Sequence, residues 1–229
     1  MSHLCGETIA CPACGAAAEL TLFRSLNGER VPAQVELLLD GTFEQHTCAA
    51  CGHRFQPEHR MLYAHVPARV WVVMCPRVDR PRFAVLEHGV ALLFAESAAG
   101  APEVVSGMVA GARPRLVFGQ HMLRESLRTV QAGIDPALLE CAKLLAYRRR
   151  MPELVRHGPA ELCCEGVEAG ELRLAIHTLG DGRRAGELRA PEGLLDEAAA
   201  ARDELAGRYP DLFSRPYVSA TRYLFGAAA

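Results

Sequence analysis

Cys11-Pro12-Ala13-Cys14-Gly15 and Cys48-Ala49-Ala50-Cys51-Gly52 carry four cysteines as two matched Cys-x-x-Cys pairs. Each pair can wrap one side of a metal ion from a tight knuckle, and the glycine after the second cysteine lets backbone amides turn back toward the sulfurs. A redox Cys-x-x-Cys normally stands as a single motif beside a βαβ unit. Two knuckles separated by residues 15–47 read instead as one site of four thiolates. A closed four-sulfur shell leaves no position for water or substrate, so the expected ion is structural. Zinc is the expected metal, held by Cys11, Cys14, Cys48 and Cys51. Iron in a rubredoxin-like site is the alternative, since four thiolates suit both metals. Disulfides fit this pattern least.

Working outward from the knuckles, Ala18–Arg24 alternates as a strand and Asn27-Gly28 signals a turn. Pro32 to Leu39 reads as a short helix with Val35, Leu38 and Leu39 on one face and Gly41 as a stop. Thr42–Thr47 is expected to return as a strand into the second knuckle. Arg54–Phe55, Met61–Val66 and Val70–Cys75 read as successive strands, the last apolar enough to be central. Phe83–Glu87 and Val90–Phe94 suggest a hairpin around His88-Gly89, and Ser97–Ala112 a flexible loop. Arg115–Phe118 is expected as a strand before a helix bearing Leu123, Leu127 and Val130, which Gly133 ends. A second helix follows, capped by Asp135, opened by Pro136 and carried to Arg148-Arg149-Arg150. Beyond Pro152, Ala160–Gly166, Glu171–His177 and Arg183–Arg189 read as a three-stranded meander. Leu194, Ala198 and Leu205 then stripe a helix, and an amphipathic piece runs from Tyr217 to Phe225.

The chain has 229 residues, half of them hydrophobic, enough for a sizeable core in one or two domains. The division expected is a zinc-binding region over 1–151 and a C-terminal αβ region over 152–229, packed on the first. No apolar run reaches the length of a membrane span, and the first residues lack a basic flank before an apolar stretch, so a cytoplasmic protein without a membrane partner is expected. Nine cysteines, an odd number, suit thiols and metal in a reducing compartment. The cations are arginines apart from Lys143, the usage of a GC-rich genome, so arginine abundance says little about nucleic acid. Charge is nevertheless uneven: residues 1–112 balance to −3, 113–157 to +5 and 158–229 to −4. The basic segment is read as docking against the acidic parts of its own chain.

In this order the pieces resemble the CpXC family, bacterial and archaeal proteins named for two cysteine knuckles and largely uncharacterised in function. The resemblance covers roughly residues 9–135. It rests on the two knuckles, the inserted Pro32–Gly41 helix, Phe43, His53 after the second knuckle, and the Arg115–Gly133 strand and helix. Ala49 stands where the family usually has proline, which loosens that turn and leaves all four ligands in place. The resemblance implies a cysteine-bound metal and no established reaction.

The other residues carry weaker signals. Cys5 could be a spare ligand, but a filled shell has no need of it. Cys75 and Cys141 read as small core residues. Cys163 and Cys164, on opposite faces of a strand, should be one buried and one exposed. His53 could hydrogen-bond near a metal-bound sulfur, with His46 and His59 close by. His65, Glu87 and His88 could converge at a hairpin, and no standard catalytic or phosphate-loop motif is present. The fold expected is α+β: a zinc ribbon with an inserted helix, joined to a mixed β-sheet with packed helices. The function expected is a non-enzymatic interaction module with an unidentified protein partner. One alternative is a nucleic-acid-binding ribbon protein using Arg113, Arg115, Arg124, Arg128 and Arg148–Arg150. The other is an enzyme with an unrecognised site, which a pocket holding a perturbed carboxylate or histidine would reveal.

Overall fold

The computed structural model describes residues 2–100, 111–168 and 170–224. The chain opens with an antiparallel hairpin, β1 (His3–Ala10) and β2 (Ala17–Asn27), whose tip is the first knuckle. Helix α1 (Pro32–Asp40) starts on a proline and ends on Gly41, whose φ of 81° lets it fold back on the last carbonyls. Two short strands, β3 (His46–Thr47) and β4 (Arg54–Phe55), flank the second knuckle. Then come β5 (Met61–His65), β6 (Val70–Cys75), a 3₁₀ segment over Arg77–Arg82, helix α2 (Phe83–Ala99) and β7 (Arg113–Phe118).

β1, β2, β5, β6 and β7 form one sheet in that order. Two of its neighbour pairs are parallel, β2 with β5 and β6 with β7, and two are antiparallel, so the sheet is mixed. α1 and the second knuckle lie in the crossover from β2 to β5, and α2 in the crossover from β6 to β7. β6 is buried along its whole length, as its run of apolar side chains dictates. β2 touches β5 only through Ser25–Asn27, so most of the first hairpin extends beyond the sheet.

After β7 come helices α3 (Gly119–Gln131) and α4 (Pro136–Leu154) and an antiparallel meander, β8 (Ala160–Glu168), β9 (Glu171–Thr178) and β10 (Arg184–Arg189). Short helices α5 (Leu194–Ala200), α6 (Arg202–Arg208), α7 (Pro210–Ser214) and α8 (Thr221–Leu224) complete the described chain. The fold is therefore mixed α+β, with eight helices among the described residues.

Two apolar cores result. One lies on the five-stranded sheet beneath α1, α2 and α3; the other gathers α4, the meander and the terminal helices. α3 carries buried residues around much of its circumference because it lies against both β6 and β8. Tyr217 crosses from the tail into the first core, where it packs on Phe83 and Phe118 at centroid distances of 5.1 and 5.2 Å. Beside it the Leu116 amide donates to Pro216 O at 2.9 Å, and Arg222 pairs with Glu87 at 3.0 Å.

Several local expectations are corrected. The stretch read as a hairpin around His88-Gly89 is the single helix α2. It is apolar nearly all round, with Val85 and Leu92 facing solvent, so it shows no helical stripe to set against its β-forming valines and phenylalanines. Of the expected loop Ser97–Ala112, the first three residues belong to α2, and 101–110 lie outside the described residues. Only His46–Thr47 of Thr42–Thr47 is strand. Pro152 lies within the last turn of α4 rather than between elements. The stripe Leu194, Ala198, Leu205 is buried as expected but spans two helices, α5 and α6. In the Tyr217–Phe225 piece only Thr221–Leu224 is helical, and Phe225 lies outside the described residues. β1 was not anticipated at all.

Candidate metal centre

The two knuckles have the same backbone. The Cys11 amide donates to Ala16 O and the Gly15 amide to Cys11 O; at the matching positions of the second motif, Cys48 donates to His53 O and Gly52 to Cys48 O, all at 2.8–2.9 Å. Gly15 and Gly52 share a φ of 73°, the left-handed conformation that a side chain would oppose. This repeated turn aims the amides of residues 50 and 51 at Cys48 Sγ and that of His53 at Cys51 Sγ.

The four sulfurs lie within 4.8 Å of one another. Cys11 and Cys51 are 3.8 Å apart and Cys14 and Cys48 3.7 Å. A tetrahedral thiolate shell with metal–sulfur bonds of about 2.3 Å has edges of about 3.8 Å, so the spacing fits one ion. The pairs cross over, each knuckle giving one buried sulfur, Cys11 or Cys48, and one exposed, Cys14 or Cys51. Without a cation the thiols divide. The Cys51 and Ala50 amides bring Cys48 down to about 7. For Cys51 the His53 amide pulls downward, but the neighbouring sulfurs, Cys14 foremost, and burial outweigh it and push the thiol up to about 12.

The apolar support of this site is small: Cys11, Cys48 and Phe55 buried, with Ile9, Ala16 and Leu20 partly so. His53 stacks on Phe55 at 6.5 Å, and its contribution to the sulfurs comes from its backbone, not its ring. Cys5 stands apart, its sulfur accepting from Arg24 Nε at 3.2 Å. His59 is buried and paired with Glu44 at 2.6 Å, while Glu44 also accepts the Phe23 amide at 2.7 Å; this pair fastens the crossover segment to β2.

The remaining candidates resolve as follows. His65, Glu87 and His88 do not converge: Glu87 is buried against the Tyr217 amide and Arg222, and His88 is exposed. Cys75 and Cys141 are core residues, as expected. Cys163 and Cys164 are both buried, correcting the expectation of one exposed, because β8 is covered on both faces. The arginines of the basic segment largely serve the fold. Arg124 and Arg128 donate to Leu38 O and Leu39 O at the end of α1, Arg148 to Tyr209, and Arg149 to Glu197.

Sequence reasoning missed one cluster altogether. His121 Nε2 lies 2.6 Å from Glu161 Oε1, which also accepts from Arg80 Nη2 at 2.7 Å, and His177 stacks on His121 at 4.8 Å. These residues come from four separate elements, so no local spacing announces them. The only available signal was alternation along β8, which puts Glu161 and Cys163 on one face.

Fold and site together define an α+β protein with a mixed sheet and a four-cysteine cluster close enough to hold a metal ion. The model of the CpXC protein family matches residues 9–143, more than half of the chain, and the protein belongs to that family. No curated protein and no solved structure matches it. Among the described residues no helix is long and apolar enough to cross a membrane.

Proposed function

We propose that Cys11, Cys14, Cys48 and Cys51 hold one structural zinc, making the two rubredoxin-like knuckles a zinc ribbon, and that the protein works as an interaction module for a protein partner. The observation that carries the zinc reading is the set of four mutually close sulfurs, two of whose separations match the edge of one tetrahedral shell, with no fifth donor in their group among the described residues. All four positions are protein sulfur, so the ion's role is to fix the ribbon.

The interaction reading is supported by the outer side of the 3₁₀ segment and α2, where Val78, Val85 and Leu92 are 81, 67 and 52 % exposed. Val85 and Leu92 stand seven residues apart and so on one face of α2, and apolar side chains that share a surface mark contact sites more often than scattered ones do. Nucleic acid is the less favoured partner because Arg128, Arg148 and Arg149, three of the arginines that would meet phosphates, are spent on α1, Tyr209 and Glu197. The regions 1–151 and 152–229 are proposed to act as one unit, a reading supported by Tyr217 and the Arg222–Glu87 pair.

Capture from native lysate tests the interaction. A protein retained by the wild type and lost with Val85→Glu/Leu92→Glu, at unchanged melting temperature, is the expected result. Equal recovery by both proteins, or recovery of nucleic acid alone, would refute it.

A further inference from the structure

A cleft of about 300 Å³ lies away from the cysteine cluster, and nothing argued so far uses it. It sits beyond the carboxyl ends of the adjacent parallel strands β6 and β7. From β6 the chain runs into Arg77 and Arg80; from β7 it turns through Gly119 into Gln120 and His121, the first turn of α3. Ligands of open α/β sheets bind at such ends, and a helix N-terminus there favours negative charge. Gly119 has a φ of 78°, and a Cβ on it would lie 3.0 Å from Arg77 Cγ and 3.1 Å from His121 Nδ1. The turn that places these side chains therefore needs glycine.

Gln120 supplies an independent observation. It is only 9 % exposed, it lines the cleft, and its Nε2 and Oε1, both shut off from solvent, have no hydrogen-bond partner among the described residues. A buried amide with both ends unsatisfied is a cost that a bound ligand would remove. His121 is set up beside it. Glu161, buried and held as a carboxylate by His121 and Arg80, accepts from Nε2, so Nδ1 is the ring nitrogen left for a ligand. No described residue hydrogen-bonds that Nδ1. His177 donates from its own Nδ1 to Gly182 O at 3.0 Å, leaving its Nε2 as an acceptor.

Charge completes the picture. Arg77 is neutralised by Glu58, and Arg80 by Glu161. Arg124, which also lines the cleft, gives Nε to Leu38 O and has no carboxylate at ion-pair distance among the described residues.

We propose that this cleft binds a small ligand bearing an oxyanion and a hydroxyl, a phosphate or a hydroxy-carboxylate. Arg124 contacts the oxyanion, joined by the Gln120 amide once its side chain turns into the cleft, and the hydroxyl pairs with His121 Nδ1. His121, Glu161 and Cys163 also have ligand atoms within 4.8 Å of one another. A metal there is disfavoured because Arg80 and His121 already occupy the same carboxylate oxygen. The proposal does not depend on the cysteine site.

Calorimetric titration of the full chain with inorganic phosphate and, separately, glycolate tests it, the two probes distinguishing phosphate from carboxylate. Saturable binding of at least one is expected. Gln120→Met should weaken it about tenfold or more, the loss of one charge-assisted bond, while raising the melting temperature, because an unsatisfied amide leaves the interior. His121→Gln, whose amide can still donate to Glu161, should weaken it likewise without melting the protein, and Arg215→Gln should change nothing. The proposal fails if neither probe saturates, if binding is unchanged in Gln120→Met and His121→Gln, or if a second metal ion is present and is lost in His121→Gln.

Discussion

Replacing Lys143 by methionine keeps the buried stem and removes one charge from the interior. Lys143 is the single lysine of the chain and 2 % exposed, and its Nζ lies 2.6 Å from both Glu125 Oε1 and Glu140 Oε1. The carboxylates do further work: Glu140 accepts the Ala220 amide at 2.6 Å, and Glu125 accepts that of Cys164. The triad thus joins α3, α4, β8 and the tail. Two carboxylate oxygens sharing one Nζ are no more than about 5 Å apart, where like charges repel by about 3 kcal/mol at an effective dielectric of about 20. Breaking a buried ion pair by removing one partner costs about 3–5 kcal/mol, and that is the loss predicted for Lys143→Met at neutral pH. Burial already pushes the Glu140 carboxyl upward against the pull of Lys143, so in the variant it should take up a proton on folding. The unfolded variant then binds fewer protons than the folded one, and its stability falls as pH rises. Urea denaturation should show a smaller deficit at mildly acidic than at mildly alkaline pH. A loss under about 1 kcal/mol, or a deficit that does not vary with pH, would refute the reasoning.

Three further outcomes are expected. His59 is raised: burial pulls it down, but the Glu44 pair outweighs that, so its contribution is complete below the unfolded value of about 6.5 and is lost as pH rises through the folded one. His59→Gln should therefore destabilise more under mildly acidic than mildly alkaline conditions, as read by denaturation at both. Gly119→Ala should cost about 1–2 kcal/mol from its left-handed backbone alone and disturb the His121 ring, visible as a shift of the His121 imidazole resonances. Tyr217→Ala, which empties a site shared by the tail and the first core, should cost about 3–5 kcal/mol in thermal or chemical unfolding. A loss confined to a minor, separate transition would instead show the tail folding on its own.

What the sequence disclosed followed the range of the interactions. The knuckles were legible because each is a five-residue turn with its glycine in place, and α1 because Pro32 and Gly41 mark its ends. The meander was legible from short strands separated by turn residues. α2 was not, since its outer residues are as apolar as its inner ones and Gly89 sits midway. β1 was missed because its alternation is broken by Cys5 and Gly6, and most of it is exposed, with no residue buried. His121, Glu161 and His177 were illegible because they meet across 40 residues and more, through the packing of α3 on β8.

The four-cysteine reading has the most direct test of all, elemental analysis of purified protein alongside its cysteine variants. The segment around the knuckles has only a handful of buried apolar residues, whereas structural zinc contributes roughly 10–16 kcal/mol of apparent binding free energy in small peptides. One zinc per chain is predicted for the wild type and for Cys75→Ser and Cys141→Ser. Cys11→Ser and Cys51→Ser should lose the metal, along with the order of the knuckles. A wild type that is metal-free and fully folded, or zinc retained at full stoichiometry in Cys11→Ser, would contradict the account.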